Sequence, residues 1–155
     1  MDFNMNFHAK DLRKGRTSQA NAIYSVTLVT YQRQNIFHDF QSARFLIQTL
    51  RQSDLELYSE TIGFVVMPDH LHWMFKLTAS KELGDLLMVV KGRSSRKINI
   101  LRHSNKPVWQ KNYYDHCLRH DEDLVKNMRY IVANPLRAGL VPSLKFYPHW
   151  DCIYL

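Results

Sequence analysis

The sequence is poor in the residues that mark cross-linked, zinc-binding or membrane-spanning chains. Its only cysteines among 155 residues are Cys117 and Cys152, which excludes a disulfide framework, and no Cys-x-x-Cys pair indicates a zinc site. No run of about 18 apolar residues is present, which excludes a transmembrane helix. Residues 1–16 are polar and lack the apolar stretch of a secretory signal, so we expect the protein in the cytoplasm.

Acidic residues are also comparatively few. The chain has 21 lysines and arginines against 14 aspartates and glutamates, which gives a formal net charge of +7. Such a charge concentrates polyanions near the protein and favours nucleic acid as a partner. Membranes and acidic proteins attract basic chains as well, so the charge alone does not choose between them. The length predicts one compact domain over residues 22–155, after a flexible basic segment at residues 1–21.

The hydrophobic pattern predicts four strands and three helices, in the order strand, helix, strand, strand, helix, strand, helix. The predicted strands cover residues 23–31, 61–67, 70–77 and 108–118, and the predicted helices cover residues 40–51, 82–101 and 121–134. Only Pro68 and Asp69 separate the second strand from the third, so these two strands should form an antiparallel hairpin. This order predicts an α+β fold with helices on one face of a mainly antiparallel sheet.

The predicted strand at residues 70–77 places two histidines on one face. Side chains two apart along a strand point to the same side, so His70 and His72 face together. The opposite face is entirely apolar and is predicted to pack into the core; its members are Leu71, Trp73, Phe75 and Leu77. The imidazoles would then lie side by side, where one cation could bridge them. For so short a pattern, two unrelated histidines on a half-exposed strand are the simpler interpretation.

The last predicted helix carries a polar stripe beside its apolar one. The members of this stripe, at three- and four-residue spacing, are Asp123, Asn127, Tyr130 and Asn134. Tyr130 and Asn134 would therefore lie one turn apart on one face. An amide oxygen is a hard ligand that suits Mg²⁺ or Mn²⁺, and a phenol becomes a useful nucleophile when it is held in place and a cation polarises its target. An ordinary amphipathic tyrosine with its hydroxyl at the water boundary fits the same spacing.

Three motifs occur in the order and at the spacing typical of one enzyme family. They are Val66-Met67-Pro68-Asp69-His70-Leu71-His72-Trp73, then Trp109-Gln110 with Tyr114-Asp115-His116 and Arg119, and finally Arg129-Tyr130-Ile131-Val132-Ala133-Asn134-Pro135 with Ala138-Gly139-Leu140-Val141. On these motifs the chain, from Ile23 to Trp150, resembles the REP-associated tyrosine transposases, a branch of the single-tyrosine HUH transposases. HUH stands for His, a bulky apolar residue and His, and Leu71 is the apolar residue here.

The resemblance implies a fold, a site and a reaction. The fold would be a ferredoxin-like or RRM-like antiparallel sheet with helices packed on one face. His70, His72 and Asn134 would bind Mg²⁺ or Mn²⁺. Tyr130 would cleave single-stranded DNA, forming a 5′-phosphotyrosine and releasing a 3′-hydroxyl, and the reverse attack would rejoin strands. The substrate would be a hairpin of a repetitive extragenic palindrome (REP) with a short guide sequence at its foot, in the nucleoid of a bacterium. The oligomeric state stays open between monomer and homodimer.

With such a substrate, seven further side chains are predicted to contact DNA. They are Lys91, Arg93, Arg96, Lys97, Tyr114, His116 and Arg119. The four on the second predicted helix would contact phosphates, although a solvated helix face has the same pattern. The ring of Tyr114 would stack on a base or fill the core, and His116 could support the metal site, contact DNA or mark a polar strand edge. Tyr113 and Tyr114 lack a ligand-type residue one turn later, so Tyr130 is the preferred nucleophile.

Two other functions stay open from the sequence. A non-catalytic binder of single-stranded nucleic acid on an RRM-like sheet explains the charge and the aromatic residues, but leaves the His pair and Tyr130 without a shared purpose. A metal-dependent phosphodiesterase that activates water uses the histidines and has no covalent step. The sequence also does not separate a mobile-element transposase from a relative kept for a host role.

Overall fold

The computed structural model of the protein describes residues 6–8, 18–119 and 122–154, the first of these ranges by its backbone alone. The strands are β1 Asn6–His8, β2 Ile23–Val29, β3 Ser59–Met67, β4 His70–Leu77, β5 Tyr113–Cys117 and β6 Trp150–Cys152. The α-helices are α1 Phe40–Leu55, α2 Leu83–Arg102, α3 Leu124–Val132 and α4 Asn134–Arg137, and the 3-10 turns are Tyr31–Arg33, Ile36–His38 and Leu144–Phe146. Within the described ranges, these strands form one antiparallel sheet in the order β1-β5-β2-β4-β3-β6. The predicted α+β class with an antiparallel sheet is confirmed.

The strand β4 lies at the centre of the sheet and forms a hairpin with β3. The two strands pair from Met67 opposite His70 down to Ser59 opposite Leu77, as the short Pro68-Asp69 connection predicts. β2 pairs with the other edge of β4, so β4 is flanked on both sides. Because every side chain of β4 is fixed by two neighbouring strands, the start of this strand is a rigid place for functional groups.

The larger core lies between one face of the sheet and the helices α1 and α2. The apolar face of β4, from Leu71 to Leu77, is buried there as predicted, and the ring of Trp73 is fully buried with its Nε1 donating to Thr61 Oγ1 at 3.0 Å. α1 begins after Asp39, whose carboxylate accepts hydrogen bonds from the amide and the hydroxyl of Ser42, both at 2.8 Å. The burial of apolar side chains in this core is the main stabilising contribution of the fold.

The opposite face of the sheet carries a smaller core beneath α3. Its members are Ile62, Val65, Met67, Met74, Met128, Ile131, Val132 and Cys152. α3 lies so close to β3 that a Cβ added at Gly63 would stand 2.7 Å from both Sδ and Cε of Met128. The expectation of helices on one face therefore needs a correction. α1 and α2 share a face, whereas the apolar stripe of α3 covers side chains that alternate onto the other face.

The end of the predicted last helix also needs a correction. Asp121, its predicted first residue, lies outside the described residues, and the side chain that caps α3 is Asp123, which accepts from the Lys126 amide at 3.0 Å. α3 ends at Val132, and Asn134 begins α4 instead of ending α3. The physical reason is Pro135, which fits the first turn of a new helix because its missing N–H needs no partner there.

Two other predicted segments differ from the structure. The strand predicted at residues 108–118 forms only over Tyr113–Cys117, while Trp109 makes an isolated bridge with Thr30. Most of the flexible segment predicted at residues 1–21 lies outside the described residues, and within it Asn6–His8 pair with β5 as a strand. Among the described residues, no helix is both long and apolar enough to cross a membrane.

Candidate metal and nucleophile site

The two histidines lie at the start of β4, on the face of the sheet that α3 covers. Their ring centroids are 4.8 Å apart and the rings are nearly perpendicular, at 88°. His72 is only 8% exposed, and burial, followed by the positive charges of His70 and Arg137, lowers its pKa to about 3. The imidazole of His72 is therefore neutral at pH 7, which is the form that binds metals. The expected half-exposed position is correct for His70 and not for His72, because α3 covers part of this face.

Both histidines use the same ring nitrogen to bind a neighbouring side chain. His72 Nδ1 lies 2.9 Å from Thr27 Oγ1, directly across the strand pair, and His70 Nδ1 lies 2.6 Å from Asp69 Oδ1. When each Nδ1 carries the proton, it donates to that oxygen, and the lone pair of each Nε2 is left for a ligand. Outer partners of this kind fix the tautomer and the orientation of metal-binding histidines.

Asp69 connects His70 to Arg33 at the protein surface. Its Oδ2 accepts a hydrogen bond from Arg33 Nη1 at 3.2 Å, while Oδ1 bonds His70. Burial acts to raise the pKa of the Asp69 carboxyl, but its contacts with His70 and Arg33 outweigh burial and lower that pKa. Asp69 is therefore a carboxylate at neutral pH and suits the protonated Nδ1 of His70.

Tyr130 and Asn134 are brought together by one arginine. Arg137 Nη1 donates to the Tyr130 carbonyl at 2.6 Å, and Nη2 donates to Asn134 Oδ1 at 2.9 Å. The guanidinium carbon also stands 3.8 Å from the centroid of the Tyr130 ring. Since the charge of Arg137 acts on the pKa of His72, this group lies within electrostatic range of the histidine pair. The predicted nucleophile and the predicted third ligand therefore share a partner beside the histidines.

The donor set fits a cation only in part. Within the described ranges, no group of three or more His, Cys, Asp or Glu side chains could hold a metal ion. The two Nε2 atoms need another kind of donor, such as the amide oxygen of Asn134. That oxygen accepts from Arg137, while the Asn134 amide nitrogen donates to the Ile131 carbonyl at 3.0 Å. The His pair therefore offers two nitrogen donors, whereas the Asn134 oxygen already accepts a hydrogen bond from Arg137.

The basic cluster of α2 is not brought to the histidines. α2 packs on the opposite face of the sheet, and three of its four predicted DNA contacts have protein partners. Lys91 Nζ donates to the carbonyls of residues 110, 111 and 112, and Arg93 forms an ion pair with Glu56 at 2.7 Å. Lys97 lies over the Phe45 ring at 6.0 Å, and Arg96 is exposed on the same helix. DNA contact by Lys91, Arg93, Arg96 and Lys97 stays a prediction, at a distance from the candidate site.

The residues of β5 lie closer to the histidines. Tyr114 stands opposite Thr27, which in turn stands opposite His72, so all three share one row and one face of the sheet. His116 lies on the same face, and its Nε2 is 2.8 Å from the carboxylate of Glu122. Glu122 also accepts from the amide of Arg119 at 3.0 Å, and its Oε1 lies 3.6 Å from Nε of the same arginine, whose side chain is otherwise largely exposed. DNA contact by Tyr114, His116 and Arg119 stays a prediction on the face that carries the site.

Three residues of the site were not found from the sequence. Thr27 could be seen only by knowing the register of β2 against β4, and Asp69 was known as part of a motif without a role. Arg137 follows Pro135, and a proline usually marks the end of a helix, so no helical residue was expected after it. A signal for Arg137 existed in the spacing, since it lies three residues after Asn134 and one turn further along any continuing helix.

Comparison with known proteins identifies relatives of this arrangement. The family of IS200-like transposases matches residues 18–134. A REP-associated tyrosine transposase of Escherichia coli is 25% identical over 81% of this chain and 72% of its own length. A predicted REP-associated tyrosine transposase of Haemophilus influenzae is 23% identical over 94% of this chain and 84% of its own.

The fold has relatives among solved structures as well. A REP-associated tyrosine transposase bound to a REP hairpin superposes with a TM-score of 0.67 and 19% identity, over 87% of this chain and 79% of that one. The resemblance to REP-associated tyrosine transposases that the three motifs indicated is thereby confirmed. The match spans most of the chain and includes the histidine pair, Tyr130 and Asn134. This protein belongs to the family of IS200-like transposases.

Proposed function

We propose that this protein cleaves and rejoins single-stranded DNA at REP-type hairpins by transesterification, with Tyr130 as the nucleophile. The proposal rests on one observation: Arg137 joins Tyr130 to Asn134 within electrostatic range of a buried, neutral His72. His72 lies on a strand, whereas Tyr130, Asn134 and Arg137 lie on the consecutive helices α3 and α4. Both elements lie on the same side of the sheet. A nucleic-acid binder has no need of that convergence.

The proposed reaction exchanges one phosphoester bond for another. The hydroxyl oxygen of Tyr130 bonds to the scissile phosphorus while the bond from phosphorus to the 3′-oxygen breaks. The phenol loses its proton to solvent, and the leaving 3′-oxygen takes one up. The product is a 5′-phosphotyrosine with a free 3′-hydroxyl. Since bond type and number are conserved, a 3′-hydroxyl can reverse the step and rejoin strands without an external energy source.

His70 and His72 would hold a divalent cation through their Nε2 atoms, with Asn134 as a third donor. Such a cation draws electron density from a phosphate oxygen and stabilises the charge that develops during attack. The rest of the site belongs to the chain itself. Thr27 and Asp69 would orient the imidazoles, and the packing of α3 on β3 fixes the helix that carries Tyr130. Mn²⁺ tolerates nitrogen donors better than the harder Mg²⁺ and is the better first probe.

The DNA would approach the face of the sheet that carries the histidines. Tyr114 would offer a ring there for base stacking, and Arg119, which pairs with Glu122 at 3.6 Å, would turn its largely exposed guanidinium to a phosphate. The relative of known structure is bound to a REP hairpin, which makes a hairpin with an unpaired flank the substrate to test.

The proposal is tested by trapping a covalent adduct. The full chain is incubated with Mn²⁺ and an end-labelled REP-type hairpin with single-stranded flanks, then denatured and separated by electrophoresis. We expect a labelled species that survives denaturation in the parent and is lost in Tyr130→Phe, with DNA binding retained. Tyr114→Phe is the matched control, since this tyrosine lies on the same face and has the same hydroxyl to lose.

The same experiment separates the two alternative functions. A non-catalytic binder would shift the DNA and form no adduct in any variant. A phosphodiesterase that uses water would cut the strand without an adduct, and Tyr130→Phe would cut at nearly the parent rate. An adduct that survives in Tyr130→Phe and disappears in Tyr114→Phe would reassign the nucleophile.

A further inference from the structure

Phe40, the first residue of α1, carries an aromatic ring that neither core buries. The residue is 58% exposed. Its ring lies against the imidazole of His149, just before β6, with the two centroids 5.2 Å apart at an angle of 54°. The ring of Tyr147 packs edge-on against the same imidazole, at 5.7 Å and 82°. Because more than half of Phe40 is open to solvent, this cluster presents an aromatic surface to a ligand without any change of fold.

His149 is buried beside Phe40 with a nitrogen that has no partner. The residue is 6% exposed, and among the described residues its Nδ1 has no hydrogen-bond partner. Burial, followed by the positive charge of Arg44, lowers the pKa of His149, so its ring is neutral at pH 7. Its carbonyl accepts from the Val66 amide at 2.8 Å, which fixes the residue at the edge of β3. A buried polar atom without a partner destabilises a fold, and its presence here indicates a ligand that supplies the partner.

A cation stands beside this cluster, since Arg44 lies one turn after Phe40 on α1. Its guanidinium carbon is 5.8 Å from the centroid of the Phe40 ring, and its Nη1 donates to the Pro148 carbonyl at 3.3 Å. Among the described residues, Arg44 forms no ion pair with a carboxylate. Asp39, the acidic neighbour of Phe40, is occupied by its two hydrogen bonds from Ser42. A ring and a cation without a competing acid match the base and the phosphate of an unpaired nucleotide.

The cluster adjoins the candidate site. The amide of Phe37, three residues before Phe40, donates to the Pro68 carbonyl at 2.9 Å. Pro68 lies two residues before His70, a span of at most about 7 Å. The strand β5, whose side chains are predicted to contact DNA, lies on the other side of β4 in the sheet. A DNA strand that crosses the histidines from β5 therefore reaches this cluster at the edge of β3.

We propose that Phe40, Arg44 and His149 form a binding site for one unpaired base of the DNA flank. The inference rests on the proposed function, which supplies the substrate. The base stacks on the exposed ring of Phe40, and Arg44 exchanges the Pro148 carbonyl for the adjoining phosphate. His149 supports the Phe40 ring and offers its unpartnered nitrogen to a polar group of the base when that ring turns. Such a site fixes the flank relative to the scissile phosphate.

The test measures DNA binding by fluorescence anisotropy in a buffer with a metal chelator. Every protein carries Tyr130→Phe, so that neither a cation nor cleavage contributes. The DNAs are a hairpin with single-stranded flanks, a blunt hairpin, and flanked hairpins in which an abasic site takes each flank position in turn. We expect one abasic position to weaken binding about tenfold, the effect usual for loss of one stacked base. Phe40→Ala should lose as much on the flanked hairpin and nothing further from that abasic site.

Three more variants separate base binding from a general loss of affinity. Phe146→Ala is the matched control and should bind like the background, because Phe146 is 61% exposed beside Lys145 but has no ring contact with His149 among the described residues. His149→Phe keeps a ring without nitrogens, so it should weaken binding of the flanked hairpin roughly threefold and leave binding of the abasic one unchanged. Arg44→Ala should weaken binding with or without the base and reduce the salt dependence.

The proposal is wrong if Phe40→Ala binds the flanked hairpin as tightly as the background, or loses the same affinity for the blunt hairpin. It is also wrong if Phe146→Ala shows the same base-dependent loss. Urea unfolding of Phe40→Ala should match the background, since the ring is exposed, so a loss of binding reports on the surface. Failure of the proposed function is seen separately, as the absence of an adduct with the parent and Mn²⁺. An adduct together with no sensitive abasic position overturns the base site alone.

Discussion

Loss of the Thr27 hydroxyl should weaken cation binding at the candidate metal site while the protein still folds. Its hydroxyl lies 2.9 Å from Nδ1 of His72, in a position where both side chains are buried. Thr27→Val keeps the shape and the β-branched backbone preference of the strand while removing the hydroxyl. In this variant Nδ1 has lost the partner that holds the proton on that side of the ring.

The cost follows from the burial of His72. A buried ring nitrogen left without its partner destabilises a protein by about 1–3 kcal/mol. Burial already lowers the pKa of His72 to about 3, so the ring cannot escape this cost by becoming charged at neutral pH. The ring can instead move its proton to Nε2, but that atom is then unable to bind a cation. Metal affinity should fall by roughly 10–100-fold, the effect usual for loss of such a partner.

The assay combines urea unfolding with a Mn²⁺ titration at pH 7. Thr49→Val is the matched control, because Thr49 is also buried but bonds the Phe45 carbonyl within α1, on the other face of the sheet. We expect both variants to lose stability and only Thr27→Val to lose Mn²⁺ affinity. The reasoning is refuted if Thr27→Val binds Mn²⁺ as tightly as the parent, since His72 would then not depend on Thr27 for its tautomer.

Two further predictions concern the packing and the ends of the helices. Gly63→Ala should destabilise the protein by about 2 kcal/mol in urea and lower the yield of the DNA adduct, because the new methyl group would stand 2.9 Å from the backbone oxygen of Asp151 and 2.7 Å from the end of the Met128 side chain, so that β6 or α3 must shift; unchanged stability and yield would show that these neighbours adapt freely. Asp39→Ala should cost about 1 kcal/mol at pH 7 through loss of the α1 cap. The hydrogen bonds from Ser42 lower the pKa of Asp39, so its contribution is present above the unfolded pKa and is lost as the pH falls through the folded pKa. Unfolding at a series of pH values should therefore show the difference between variant and parent shrinking in acid, and a difference that stays constant would contradict this origin.

Local periodicity was sufficient to predict the strand that carries the histidines. Alternation along residues 70–77 is a property of the chain itself, so it correctly placed Trp73 in the core and His70 beside His72. The partner of His72 is not local. Which residue of β2 lies opposite it depends on the register of two strands more than 40 residues apart, and no pattern within β2 distinguishes Thr27 from Ser25.

The sequence also did not predict on which side of the sheet each helix packs. The apolar stripe of α3 showed that the helix is half-buried, but both faces of β3 are apolar and could have received it. For the same reason the basic face of α2 could be seen as exposed but not placed relative to the histidines. Arg137 was missed because a helix stop at Pro135 was expected, whereas the chain begins a new turn there and folds the arginine back onto Tyr130.

The placement of α3 on the side of the sheet opposite α1 and α2 has a consequence for how this enzyme can change. Most of the apolar side chains that keep the chain folded lie on the far side, with α1 and α2. A few residues, chiefly Met128, Ile131 and Val132, fix the position of the helix that carries Tyr130, the proposed nucleophile. Substitutions beside α1 and α2 can therefore adjust thermal stability at a distance from the candidate site, whereas substitutions beneath α3 change stability and the position of Tyr130 together. Such a layout lets a lineage drift far in sequence while the reacting groups keep their places.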